Sequence, residues 1–89
     1  MREPYLEVTF RRGLPLAAYY YLPREPGQKS THTRRIEPGL VVDFDQSDHP
    51  IGIEITAPTK VTLSQFNAVL SQLGQSPINE REFAPLRAA

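Results

Sequence analysis

Proline stands at nine of the 89 positions of this chain. Each one fixes its own φ and removes a backbone donor, so a sequence punctuated this heavily favours short strands and turns over a bundle of helices. The pattern between the prolines agrees. Residues 5–11 put Leu6, Val8 and Phe10 on one side and Tyr5, Glu7, Thr9 and Arg11 on the other, the period of a half-buried strand. Gly13 ends it. Residues 14–22, LPLAAYYYL, repeat the period, with Leu16, Ala18, Tyr20 and Leu22 on one face and Ala17, Tyr19 and Tyr21 on the other. The stretch PREPGQK, residues 23–29, is a loop by composition. Residues 31–37 form a third, polar strand, Pro38 and Gly39 turn the chain, and residues 40–45 and 51–56 form the fourth and fifth.

After Pro58 the period changes to that of a helix over residues 61–73, where Leu63, Phe66, Val69, Leu70 and Leu73 share a face. Thr62 with Gln65 three residues later is a capping box, and Val61 with Phe66 has the spacing of a hydrophobic staple. Gly74 and then Pro77 stop the helix. The fold expected is α+β: an antiparallel meander of four to five strands with one C-terminal helix packed on its apolar face. Residues 1–74 form the compact domain. The tail, 75–89, has Ile78, Phe83 and Leu86 but no sustained period, which leaves open an extra helix, a docking arm or disorder.

At this length the surface-to-volume ratio permits one domain with a modest core, so a partner or a second copy would stabilise it. Formal charge is zero, which removes any global field toward nucleic acid or an anionic membrane. The absence of cysteine removes disulfides, thiolate metal sites and cysteine nucleophiles, and accords with a reducing compartment. The opening MREPYLEVTFRRG is charged and alternating where a signal peptide has a continuous apolar run. No segment approaches the roughly 20 apolar residues of a membrane span. The expectation is a cytoplasmic protein without a membrane anchor.

The acidic stretch DFDQSDHPIGIE admits two readings. Asp43, Asp45, Ser47 and Glu54 fall at the first, third, fifth and twelfth positions of a calcium loop. The sixth position, however, is Asp48 where glycine is needed, and the flanks LVV and IGIEI have strand period rather than helix period. A β-hairpin fits better, with Ser47 and Asp48 as turn formers. A weaker metal site through Asp45, Asp48 and His49, or a carboxylate-based hydrolase, is a remote alternative. If paired residue numbers in the hairpin sum to 97, Phe44 faces Ile53, Val42 faces Ile55, and Asp43 meets Glu54. Such opposed carboxylates need a cation nearby, and the Pro38-Gly39 turn would bring Arg34 or Arg35 beside Asp43. The alternative is a carboxylate pair with one raised pKa. His32 and His49 are isolated and suggest no triad or metal cluster. No catalytic residues, no metal and no cofactor are expected.

Tyr19 and Tyr21 lie on the strand face opposite Tyr20, and beside Arg34 or Arg35 they have the composition of an interface hot spot. Arg11, Arg12, Arg24, Lys29, Arg34 and Arg35 make the first half basic, which leaves nucleic-acid binding as an alternative, although no module signature accompanies them.

The run TRRIEPGLVVDFDQSDHPIGIEI, with its Asp43-Phe44-Asp45, short turn and Gly52-Ile53-Glu54-Ile55, resembles the small prokaryotic family called domain of unknown function 2283. The preceding strand LPLAAYYYL is similar to the one that family places before its hairpin. Together these segments cover about half of the chain, and the helix after Pro58 lies beyond them. The resemblance implies a compact β-rich domain of uncharacterised function. It also implies an accessory or antitoxin-like role, since some members are encoded beside small toxin-like proteins. Residues and resemblance together point to a non-catalytic protein-interaction module, binding a protein partner or a second copy of itself as a homodimer. The binding residues expected are Tyr19, Tyr21, Arg34, Arg35, Asp43 and Glu54.

Overall fold

The computed structural model describes residues 3–87. The expected α+β class is what forms. Five antiparallel strands, β1 Tyr5–Arg11, β2 Leu14–Tyr21, β3 His32–Glu37, β4 Leu40–Phe44 and β5 Pro50–Ile55, make one sheet. Helix α1, Leu63–Gln72, and a short helix α2, Glu80–Phe83, follow it. Strand order is β1-β2-β5-β4-β3, so the expected meander is corrected. β5 inserts between β2 and β4, and the loop after β2 carries β3 to the far edge. Polarity explains the order. In β5, Ile51, Gly52, Ile53 and Ile55 are all buried, as suits a central strand, whereas the first four residues of β3 are exposed, as suits an edge.

The β1–β2 hairpin closes through Arg12 at φ +55° and Gly13 at φ +80°, both left-handed as a two-residue type I′ turn requires. The pairing shifts between Thr9 and Phe10, where Ala17 opposes Thr9 and Pro15 opposes Phe10. Leu16 is therefore the bulged residue and is 53% exposed instead of joining Ala18 and Tyr20 in the core.

The core lies on one side of the sheet. Tyr20, Val42, Phe44, Ile53 and Ile55 face Phe66, Val69 and Leu70 of α1, and the Tyr20 and Phe66 rings meet edge to face at 5.2 Å. The capping box of α1 is present in both directions, from Gln65 N–H to Thr62 Oγ1 at 3.1 Å and from Thr62 N–H to Gln65 Oε1 at 2.9 Å. At the other end Gln75 N–H reaches the Leu70 carbonyl and Gly74 N–H that of Ser71, the Schellman pattern, with Gly74 left-handed at φ +72°.

The core continues past Gly74. Ile78, Phe83 and Leu86 are buried in the same cluster, so the described part of the tail is an extra helix and turn laid on the core. Its residues 88 and 89 lie outside the described residues. Asn67 on α1 fastens the segment by two hydrogen bonds to the Ile78 backbone, 3.0 and 2.9 Å.

Candidate functional site

One face of the sheet carries the helices, and the other is open. Strand pairing arranges the open face in two rows that cross all five strands. The first runs Arg35, Val41, Glu54, Tyr19, Glu7. The second runs Thr33, Asp43, Gly52, Tyr21, Tyr5. Tyr19, Tyr21, Arg35, Asp43 and Glu54 therefore share a face as expected, but their pairings differ from those the sequence suggests.

The β4–β5 register sums to 95, not 97: Val42 opposes Ile53 and Asp43 opposes Gly52. Asp43 and Glu54 are thus not directly opposed, and the expected carboxylate pair does not form. A slip of two residues preserves which side chains face the core, so apolar parity alone could not choose between the two registers. The turn decides. The Asp45 carboxylate accepts the N–H groups of Ser47 (2.8 Å) and His49 (2.9 Å), while Asp45 N–H donates to the His49 carbonyl. The chain closes at His49 and β5 begins at Pro50. Asp48 takes the left-handed angle in this turn, φ +64°.

A further slip moves the arginines. Thr33, not Arg34 or Arg35, opposes Asp43. Arg34 opposes Val42 and so belongs to the helix side, where its guanidinium stands 5.0 Å over the Phe44 ring. Arg34 is therefore removed from the expected binding set. The irregularity between Arg35 and Glu37 sets this register, because it adds a residue beside the Pro38-Gly39 turn.

What takes the arginine's place beside Asp43 is a phenol. Tyr19 donates its hydroxyl to Asp43 Oδ2 at 2.6 Å, crossing over Gly52 to do so. A Cβ built on Gly52 would overlap the Tyr19 ring and hydroxyl, so the glycine is the seat of that side chain. Burial, and then the bond to Asp43, push the Tyr19 phenol well above its ordinary ionisation range. It stays a neutral donor at physiological pH. Tyr21 meets Tyr19 edge to face at 4.7 Å, stacks on Tyr5 at 4.6 Å, and donates to Glu7 Oε1 at 3.3 Å. Arg24 lies 5.4 Å from the Tyr21 ring centre. Tyr5, Glu7 and Arg24 are thus members of the face that the expected set lacked. The parity of residues 5–11 already separates Tyr5 and Glu7 from Leu6 and Val8. Only the register puts them beside Tyr21.

Glu7 and Glu54 stand on either side of a shallow hollow of about 190 Å³ floored by Ala17 and Ala18 and bounded by Thr9 and Tyr19. The face therefore offers aromatic area, a fixed phenol–carboxylate bond and two carboxylates around a small cavity. Such a surface can hold a side chain.

The acidic turn is internally engaged. Asp45 is 8% exposed and also accepts Gln28 Nε2 at 2.7 Å. The His49 N–H and then the Gln28 amide hold its carboxyl below the usual carboxylate range. Asp48 accepts His32 Nε2 at 2.8 Å. Strands flank this loop on both sides, in place of the helices of a calcium loop. Among the described residues no three acidic or histidine side chains gather as a metal-binding group. Among them, too, no helix is long and apolar enough to cross a membrane.

The basic residues do not share one surface. Arg11 and Arg12 are at the β1–β2 turn, Lys29 is in the loop before β3, and Arg34 and Arg35 point to opposite faces of the other edge strand.

No curated protein and no solved structure matches the chain, whereas residues 17–57 match the family described as Protein of unknown function (DUF2283). That segment runs from β2 through β5 and contains Tyr19, Asp43 and Gly52 together with the acidic turn. Residues 17–57, with the GIEI hairpin inside them, are thus similar to the DUF2283 family, as the sequence suggests.

Proposed function

We propose that the chain is a non-catalytic interaction module that binds a protein partner through the open face of its sheet. The observation that carries this reading is the contiguous cluster of Tyr5, Tyr19 and Tyr21, held in place by hydrogen bonds to Asp43 and Glu7. Rigid tyrosines lose little entropy on binding and present both apolar area and a polar tip. Arg35 and Arg24 at the margins, and the hollow between Glu7 and Glu54, supply charges of both signs. A partner that places a lysine or arginine stem over Ala17 would meet both carboxylates. An accessory or antitoxin-like role, in which a small domain covers a second protein, fits such a surface.

The test is capture of the partner from the native host at moderate salt after nuclease treatment, followed by affinity measurement with face-specific variants. Tyr21→Ala and Arg35→Ala are each expected to weaken the complex roughly 5- to 30-fold while the fold persists. Arg34→Ala, on the helix side, is expected to leave it unchanged. Normal binding by both open-face variants contradicts the reading, as does material recovered only when nucleic acid is left intact.

A further inference from the structure

The two edges of the sheet are guarded unequally. Edge strand β3 carries Arg34 and Arg35 at its centre and a register irregularity beside them. Pairing with its own copy would oppose like charges, which protects that edge. Edge strand β1 has no such device on its core side, where Leu6 and Val8 are half-buried and Phe10 is 48% exposed. Helix α1 leans over β3, and the turns at Pro58–Lys60 and Ala84–Arg87 rest on β2, so β1 lies at the rim of the helical cover.

We propose that two copies of the chain form a homodimer by antiparallel pairing of β1 with β1, the two-fold axis passing at Val8. Side chains directly opposed in such a pair share a face, so the axis must fall at a residue rather than between two. Placed at Glu7, it would oppose two carboxylates. Placed at Thr9, it would lose the first two residues of the strand and set Leu6 against the turn residue Arg12. Placed at Val8, all seven residues of β1 pair: Tyr5 with Arg11, Leu6 with Phe10, Glu7 with Thr9, and Val8 with itself. The core side then gains a continuous apolar stripe that covers Phe10. On the open side each Arg11 guanidinium lies beside the partner's tyrosine ring and diagonal to its carboxylate, both favourable contacts. The product is a ten-stranded sheet with the helices of both copies on one side and both tyrosine clusters on the other. The pairing uses the β1 edge and stands whether or not the open face binds a further protein.

Sedimentation and single-cysteine cross-linking of the full chain test it. Because the chain has no cysteine, Val8→Cys gives one thiol per copy, and this register brings the two within reach of a disulfide. The wild type is expected to sediment at twice its 10.1 kDa mass at high micromolar concentration. Val8→Cys is expected to form a covalent dimer under mild oxidation, and Thr33→Cys on the opposite edge is not. Phe10→Lys replaces a half-exposed ring, so its circular dichroism should be unchanged while the dimer dissociates about tenfold more readily or beyond. A monomer at hundreds of micromolar overturns the proposal. So does a dimer that cross-links through Thr33→Cys but not Val8→Cys, or one indifferent to Phe10→Lys.

Discussion

Gly52 lies in the central strand β5 and leaves room for the Tyr19 ring to lie across that strand. Gly52→Ala is therefore expected to disturb this seat. The added methyl must displace the ring and break the bond to Asp43, with an expected cost of about 1–3 kcal/mol in chemical denaturation. A wild-type midpoint for this variant would contradict the seating. The same phenol gives a pH dependence. Its raised pKa means that the folded state holds the proton more tightly than the unfolded chain does. The associated stability is fully present below the unfolded value near 10.0 and is lost as pH rises through the folded one. Denaturation midpoints of the wild type should fall more steeply on the alkaline side than those of Tyr19→Phe, and parallel curves would remove the link. At this scale the sequence was legible for side-chain parity. Tyr19 and Asp43 could be put on one face from alternation, but their hydrogen bond depends on a register that alternation does not determine.

Strands and helix were readable because each carries its own period and punctuation. The Thr62 and Gln65 capping box and the Gly74 stop are local signals, and they reappear as local geometry. Strand order is not local. The short connection between the third strand and the fourth was visible as Pro38-Gly39, but the ten-residue connection between β2 and β3 left their pairing open, and β5, in which Ile51, Gly52, Ile53 and Ile55 are buried, took the place beside β2. The tail was illegible for a similar reason: three apolar residues without a period become a packed helix and turn only through contacts with α1 and the sheet. Asn67 is the tie. Asn67→Ala removes both hydrogen bonds to Ile78 and leaves that backbone without them, with an expected loss of about 1–2 kcal/mol. Hydrogen exchange should show the loosening first at residues 78–87, and unchanged protection there would show that the apolar contacts alone hold the segment.

For the whole molecule the division of labour is between two faces and two edges. Helices cover one face, the tyrosine rows occupy the other, β3 is guarded by arginines, and β1 is free to pair. The chain's balance of charge is consistent with recognition by shape and local contacts rather than by a long-range field. The proposed recognition through the open face can be read out by amide chemical-shift mapping with the captured partner. The expected result is a set of perturbed residues confined to Thr33, Arg35, Val41, Asp43, Glu54, Tyr19, Tyr21 and Tyr5 and their strand neighbours. Perturbations centred on α1 and α2, with these rows unmoved, would contradict it.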